Sequence, residues 1–140
     1  TLNNKVQMDK GLEWIDRAIA QSKNFTTLNI KSGLLQETGK VAEAEKTKKE
    51  ALTLATEAEL NNYGYQLLGQ SQYDKAIEIL TLATERFPKS ANAWDSLGEA
   101  YALKGDEKNA VVNFKKSLKM NPPENVRTNS EKYLKQYGAL

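Results

Sequence analysis

A chain of 140 residues is long enough for one ordinary domain with a continuous core. Its 20 Lys and Arg are interspersed with 18 Asp and Glu, a balance that argues against a polyanion-binding protein or an acidic tail. It has no Cys and no His, which excludes disulfides, thiolate metal sites, histidine-based catalysis and the usual zinc ligand sets.

No apolar run reaches about 18 residues, so no membrane-spanning helix is predicted. The chain opens at Thr1 with neither an initiator Met nor a signal peptide, which fits a fragment or a processed form. Stretches of helical period, punctuated by Gly, Pro and Asn and without useful strand-like alternation, predict an all-α chain. Eight helices are expected near 6–21, 25–37, 41–55, 57–70, 73–86, 91–104, 107–119 and 124–137.

In the first of these, Gly11, Ile15 and Ala18 fit the second helix of a helix pair whose first helix is missing, with only Leu2 ahead of an Asn3-Asn4 turn. The face bearing Trp14, Ile15 and Ile19 then lacks a neighbour. Uncovered apolar patches of this kind mark interaction sites, so self-association into a homodimer is expected there.

The next pair, 25–56, carries small and apolar residues at Leu28, Ser32, Leu35, Ala44 and Ala51. Lys31 and Lys48, however, occupy places where apolar residues are usual. In the following pair, 57–90, Leu60, Gly64, Leu67, Ala76, Leu80 and Ala83 take the corresponding positions. Phe87-Pro88 ends that pair, because the proline disfavours helix at the residue before it. Ser90 is the expected N-cap of the next helix.

The pair 91–122 carries Trp94, Leu97 and Tyr101 on one helical face, with Ala110, Phe114 and Ser117 opposite. Gly105-Asp106 makes its internal turn, and Pro122-Pro123 stops its second helix. A last helix, within 123–140, has a single apolar stripe of Val126, Tyr133, Leu134 and Tyr137, as a terminal cap requires.

Gly64 to Gly98, Ala76 to Ala110 and Pro88 to Pro122 are each 34 residues apart, whereas Ala44 to Ala76 is 32. The run W-D-S-L-G-E-A-Y, then A-V-V-N-F, then Pro122 resembles the tetratricopeptide repeat, whose pattern is W-x2-L-G-x2-Y…A-x3-F…P with that period. The likeness covers roughly 25–122. The chain also resembles the C-terminal helical segment of bacterial proteins with an uncharacterised β-rich domain upstream, through G-L-E-W-I-D-R-A-I-A and N-F-T-T-L-N-I-K. The compartment stays open between cytoplasm and periplasm.

The resemblance implies a single domain over 1–140, a right-handed superhelix of antiparallel helix pairs. Residues 1–22 would be a truncated repeat, 25–56 a degenerate one, 57–90 and 91–122 full repeats, and 123–140 the capping helix. It also implies a protein-binding scaffold without cofactor or chemistry of its own, its concave groove lined by the first helix of each pair.

On this chain the implied groove comprises Asn29, Asn61, Asn62, Tyr65, Asn92, Asp95, Ser96 and Glu99. The family's carboxylate clamp for chaperone tails falls on Asn29, Gly33, Asn62, Asn92 and Ser96. Only Asn62 keeps the required type, and no cationic donor is present to hold a carboxylate. Asparagine amides offer a donor and an acceptor together, which suits an extended peptide or partner loop, neutral or basic given Asp95 and Glu99.

Lys46, Lys48, Lys49, Lys115, Lys116 and Lys119 have no interleaved aromatics, so nucleic acid is not an expected partner. The carboxylates Glu37, Asp95 and Glu99 have nothing to orient them, so no catalytic residue, metal site or cofactor is expected.

Overall fold

The computed structural model describes residues 2–140, and among them are eight helices and no strand. They are α1 (Leu2–Gln21), α2 (Phe25–Glu37), α3 (Val41–Leu54), α4 (Glu57–Gly69), α5 (Tyr73–Arg86), α6 (Ala91–Lys104), α7 (Glu107–Lys119) and α8 (Glu124–Gln136). The all-α, helical-repeat expectation holds, with element boundaries close to those predicted. One boundary differs by more than a residue. α1 starts at Leu2, and Asn3-Asn4 is a turn of helix rather than a break. The chain divides into two compact units, Thr1–Thr56 and Glu57–Leu140.

In the first unit α1 packs on α2 and α2 on α3. The start of α2 is set by a capping box in which Asn24 accepts from the Thr27 amide and Thr27 returns the bond to the Asn24 amide. Phe25, Leu28, Leu35, Ala44 and Ala51 are buried there, and so is Ile15 of α1.

The crossing of α2 and α3 is polar at its centre. The buried Ser32 hydroxyl donates to the Ala44 carbonyl oxygen at 2.8 Å. The two lysines at apolar repeat positions are both compensated. Lys31 pairs with Asp16 of α1 at 2.7 Å, and the Lys48 ammonium donates to the Asn29 side-chain oxygen. Their long stems pack while their heads find polar partners.

The second unit stacks α4 to α8 so that each helix packs on the next, with α4 also on α6 and α6 also on α8. Its close crossings need glycine. A Cβ on Gly64 would stand 2.6 Å from Leu80 atoms, and one on Gly98 would stand 2.8 Å from the Phe114 ring. Phe114, Leu80, Leu60 and Leu134 are fully enclosed.

Gly105 ends α6 in the left-handed conformation at φ 87°, where a side chain would be strained. Ser90 caps α6 by accepting from the Ala93 amide, and its hydroxyl also donates to Glu57 of α4.

Trp94, on the same helical face as the buried Leu97, is not itself enclosed. It is half-buried, its indole N–H donates to the Pro88 carbonyl at 2.9 Å, and the Lys116 ammonium lies 4.3 Å from the ring centroid. α8 behaves as a cap. Val126 and Leu134 are buried, and the Tyr133 ring stacks on Phe114 at 4.8 Å between centroids.

Candidate functional site

The second unit repeats every 34 residues, so side chains at the same place on α4, α6 and α8 stand in rows. Two rows matter. One is Asn61, Asp95 and Asn129; the other is Tyr65, Glu99 and Tyr133. Hydrogen bonds cross between helices along these rows. The Tyr65 hydroxyl donates to Glu99 Oε2 at 2.7 Å, joining α4 to α6. The Asn129 amide donates to Asp95 Oδ2 at 2.8 Å, and the Ser130 hydroxyl donates to Asp95 Oδ1, joining α6 to α8. α8 therefore sits against α6 as α6 sits against α4, in the position of a further first helix.

Asp95 and Ser96, expected as groove surface, are buried at 5% and 1% exposure. Asp95 is held by α8, because a desolvated carboxylate must find donors. Burial pushes its carboxyl above the usual range, the bonds from Ser130 and Asn129 pull it partly back, and the nearby Glu99 charge adds to the rise. No Lys or Arg pairs with Asp95 or Glu99 among the described residues.

Burial likewise raises the Tyr65 phenol well above its ordinary value, a bond with Ser96 opposes that, and the Glu99 charge reinforces it. Tyr65 keeps 37% exposure, Asn62 is exposed, and Asn61, Asn92 and Glu99 are half-buried. The Asn61 side-chain oxygen is enclosed without a hydrogen-bond partner.

Asn29 lies in the first unit, where its side-chain oxygen is occupied by Lys48. Within the second unit, the structure thus joins Tyr65 and Glu99, with the exposed Asn62 one turn before Tyr65 on α4 and the buried Asp95 and Ser96 one turn before Glu99 on α6. The expectation of an unpartnered face of Trp14, Ile15 and Ile19 needs correction. Ile15 points into the first unit's core at 8% exposure, Ile19 is half-buried, and Trp14 alone is fully outside at 71%. The helix that covers Ile15 is α2, which packs along α1.

Asn129, Ser130 and Tyr133 were not among the residues expected at this face. Extending the 34-residue period one step beyond Asp95, Ser96 and Glu99 reaches all three.

Known proteins agree with this architecture. The tetratricopeptide repeat family matches residues 91–124. Superkiller complex protein 3 of Homo sapiens is 37% identical over 59 residues, 42% of this chain and 4% of the relative's own length. Among solved structures, MamA from Desulfovibrio magneticus superposes with a TM-score of 0.59 at 16% identity, over 97% of this chain and 79% of that one. YrrB, described as a TPR protein with an unusual peptide-binding site, superposes with a TM-score of 0.55 at 18% identity, over 91% and 68%. No described helix is long and apolar enough to cross a membrane.

Proposed function

We propose that this tetratricopeptide-repeat array is a non-catalytic scaffold that binds an extended peptide or partner loop on the face shared by α4, α6 and α8. The Tyr65–Glu99 bond carries the reading. It fixes two surface groups from successive repeats in one geometry, so a ligand meets a prepared surface rather than independent side chains. Asn62 beside them, and Asn92 a turn before Ser96, supply amides that can pair with both the C=O and the N–H of an extended chain.

Each such bond contributes about 0.5–1.5 kcal/mol net, so binding is weak and exchangeable. Titration of an unbiased peptide library against the parent, Asn62→Ala and Tyr65→Ala tests it. A loss of affinity of that order for Asn62→Ala and a larger one for Tyr65→Ala are expected. Peptides that bind all three proteins equally place the site elsewhere.

The 71% exposure of Trp14 favours a second reading, self-association through α1. Light scattering of parent and Trp14→Ser at high concentration distinguishes the two, and a parent that stays monomeric removes it.

A further inference from the structure

We infer that the α4–α6–α8 face takes a cationic side chain, arginine or lysine, of an extended peptide, with Glu99 as its counter-charge and Tyr65 as the aromatic surface beside it. This rests on the peptide-binding reading above and names the chemistry of the partner.

The first argument is an uncompensated charge. Asp95 and Glu99 are one turn apart on α6, and neither has a Lys or Arg partner among the described residues. Asp95 is 5% exposed, and its donors are the neutral Ser130 and Asn129. Neutral donors satisfy lone pairs but leave the net charge in place. A buried carboxylate without a cation therefore projects a negative potential onto the surface it underlies. Glu99 stands at that surface with one oxygen bonded to Tyr65.

The second argument is the distribution of charge. Across α4 to α6, residues 57–104, seven carboxylates stand against four cations, a net of −3, and Lys104 at the end of α6 is paired with Asp74. None of the groove positions on α4 and α6 is Lys or Arg. Charge complementarity of this kind selects the partner and speeds encounter. The face of a tyrosine ring adds attraction for a cation held beside it.

The alternative occupant, an acidic tail, would meet the Glu99 carboxylate directly and no Lys or Arg at the groove positions of α4 and α6. Asp95 itself is out of contact range, so the ligand's cation is expected to bind Glu99 directly and to sense Asp95 through space.

The test uses the 140-residue chain and three short synthetic peptide series, identical except that the central residue is arginine, glutamine or glutamate. Binding is read by fluorescence anisotropy for parent, Glu99→Gln and Asn62→Ala, with helicity checked by circular dichroism. Glu99→Gln keeps an acceptor for Tyr65 while removing the charge. The arginine series should bind the parent about tenfold or more tighter than the glutamine series, and this preference should shrink as salt is raised.

Glu99→Gln should abolish the preference, bringing the arginine series down to the level of the glutamine series on the same variant. Equal binding of the arginine and glutamine series, still weakened by Asn62→Ala, overturns this inference and leaves peptide binding standing. A preference that survives Glu99→Gln also overturns it. Failure of every series to bind the parent overturns both readings.

Discussion

The pairs α2–α3 and α6–α7 solve one packing problem in opposite ways. In α6–α7 the crossing is apolar and tight, with Gly98 leaving room for the Phe114 ring and no room for a Cβ. At the matching places α2–α3 has Ser32 and Lys48. The serine hydroxyl fills the contact with a hydrogen bond to Ala44, and the lysine runs out to Asn29. The tight version gains buried apolar area and steric definition. The polar version gains only hydrogen bonds, each of small net value once the exchange with water is counted. A repeat can thus keep its backbone geometry while its crossing passes from the first solution to the second.

The largest expected effect comes from emptying the tight crossing. Phe114→Ala should cost about 3–5 kcal/mol, since the ring is fully enclosed and cannot be replaced by relaxation. Denaturant unfolding, with hydrogen exchange to locate the loss in α6–α8, checks it. Next is overfilling: Gly98→Leu should cost about 1–3 kcal/mol and raise exchange on both sides of the same crossing. A variant with parent-like unfolding would show that Phe114 can move aside and that the contact is not tight.

Asp95 sharpens the contrast in polar burial, because the second unit encloses a carboxylate where the first leaves its lysine heads partly solvated. Its carboxyl is raised in the fold, so in the acidic range between the unfolded and folded values the folded state holds a proton that the unfolded chain has released. That contribution is full below the unfolded value of about 3.9 and fades as pH rises through the folded value. The stability difference between parent and Asp95→Asn should therefore shift in the parent's favour on acidification toward that value. A difference that is flat across a pH series of unfolding curves would contradict the burial argument.

The smallest effect is expected in the polar crossing. Lys48→Met removes the polar contacts of the ammonium, the bond to Asn29 among them, but places an apolar chain where the repeat favours one. The two changes should offset to within about 1 kcal/mol, measured on the same unfolding curves. A loss as large as that of Phe114→Ala would mean that the polar crossing is as stabilising as the apolar one.

Much of the fold was legible because it rests on local chemistry. Phe87-Pro88, Ser90 and Gly105 punctuate helices through their own backbone preferences, and the 34-residue spacing of Gly64 and Gly98 located both close crossings. Legibility failed where a side chain had two admissible environments. Trp94 matches the most recognisable position of the repeat, yet it is half-buried against Pro88 and Lys116. Asp95 occupies a groove position by register but is enclosed, because α8 repeats the first-helix geometry and brings Asn129 and Ser130 onto it. Ile15 and Trp14 are adjacent in sequence, and only the packing of α2 against α1 separates the buried one from the exposed one.

The sequence by itself determined the helix boundaries after α1 and the two glycine crossings, since each depends on backbone preferences or on residue size at a fixed period. The tertiary structure alone decided which groove residues remain at the surface and which are consumed. Burial and hydrogen bonding of a side chain are set by groups 34 residues away, and their identity, unlike their spacing, follows no period.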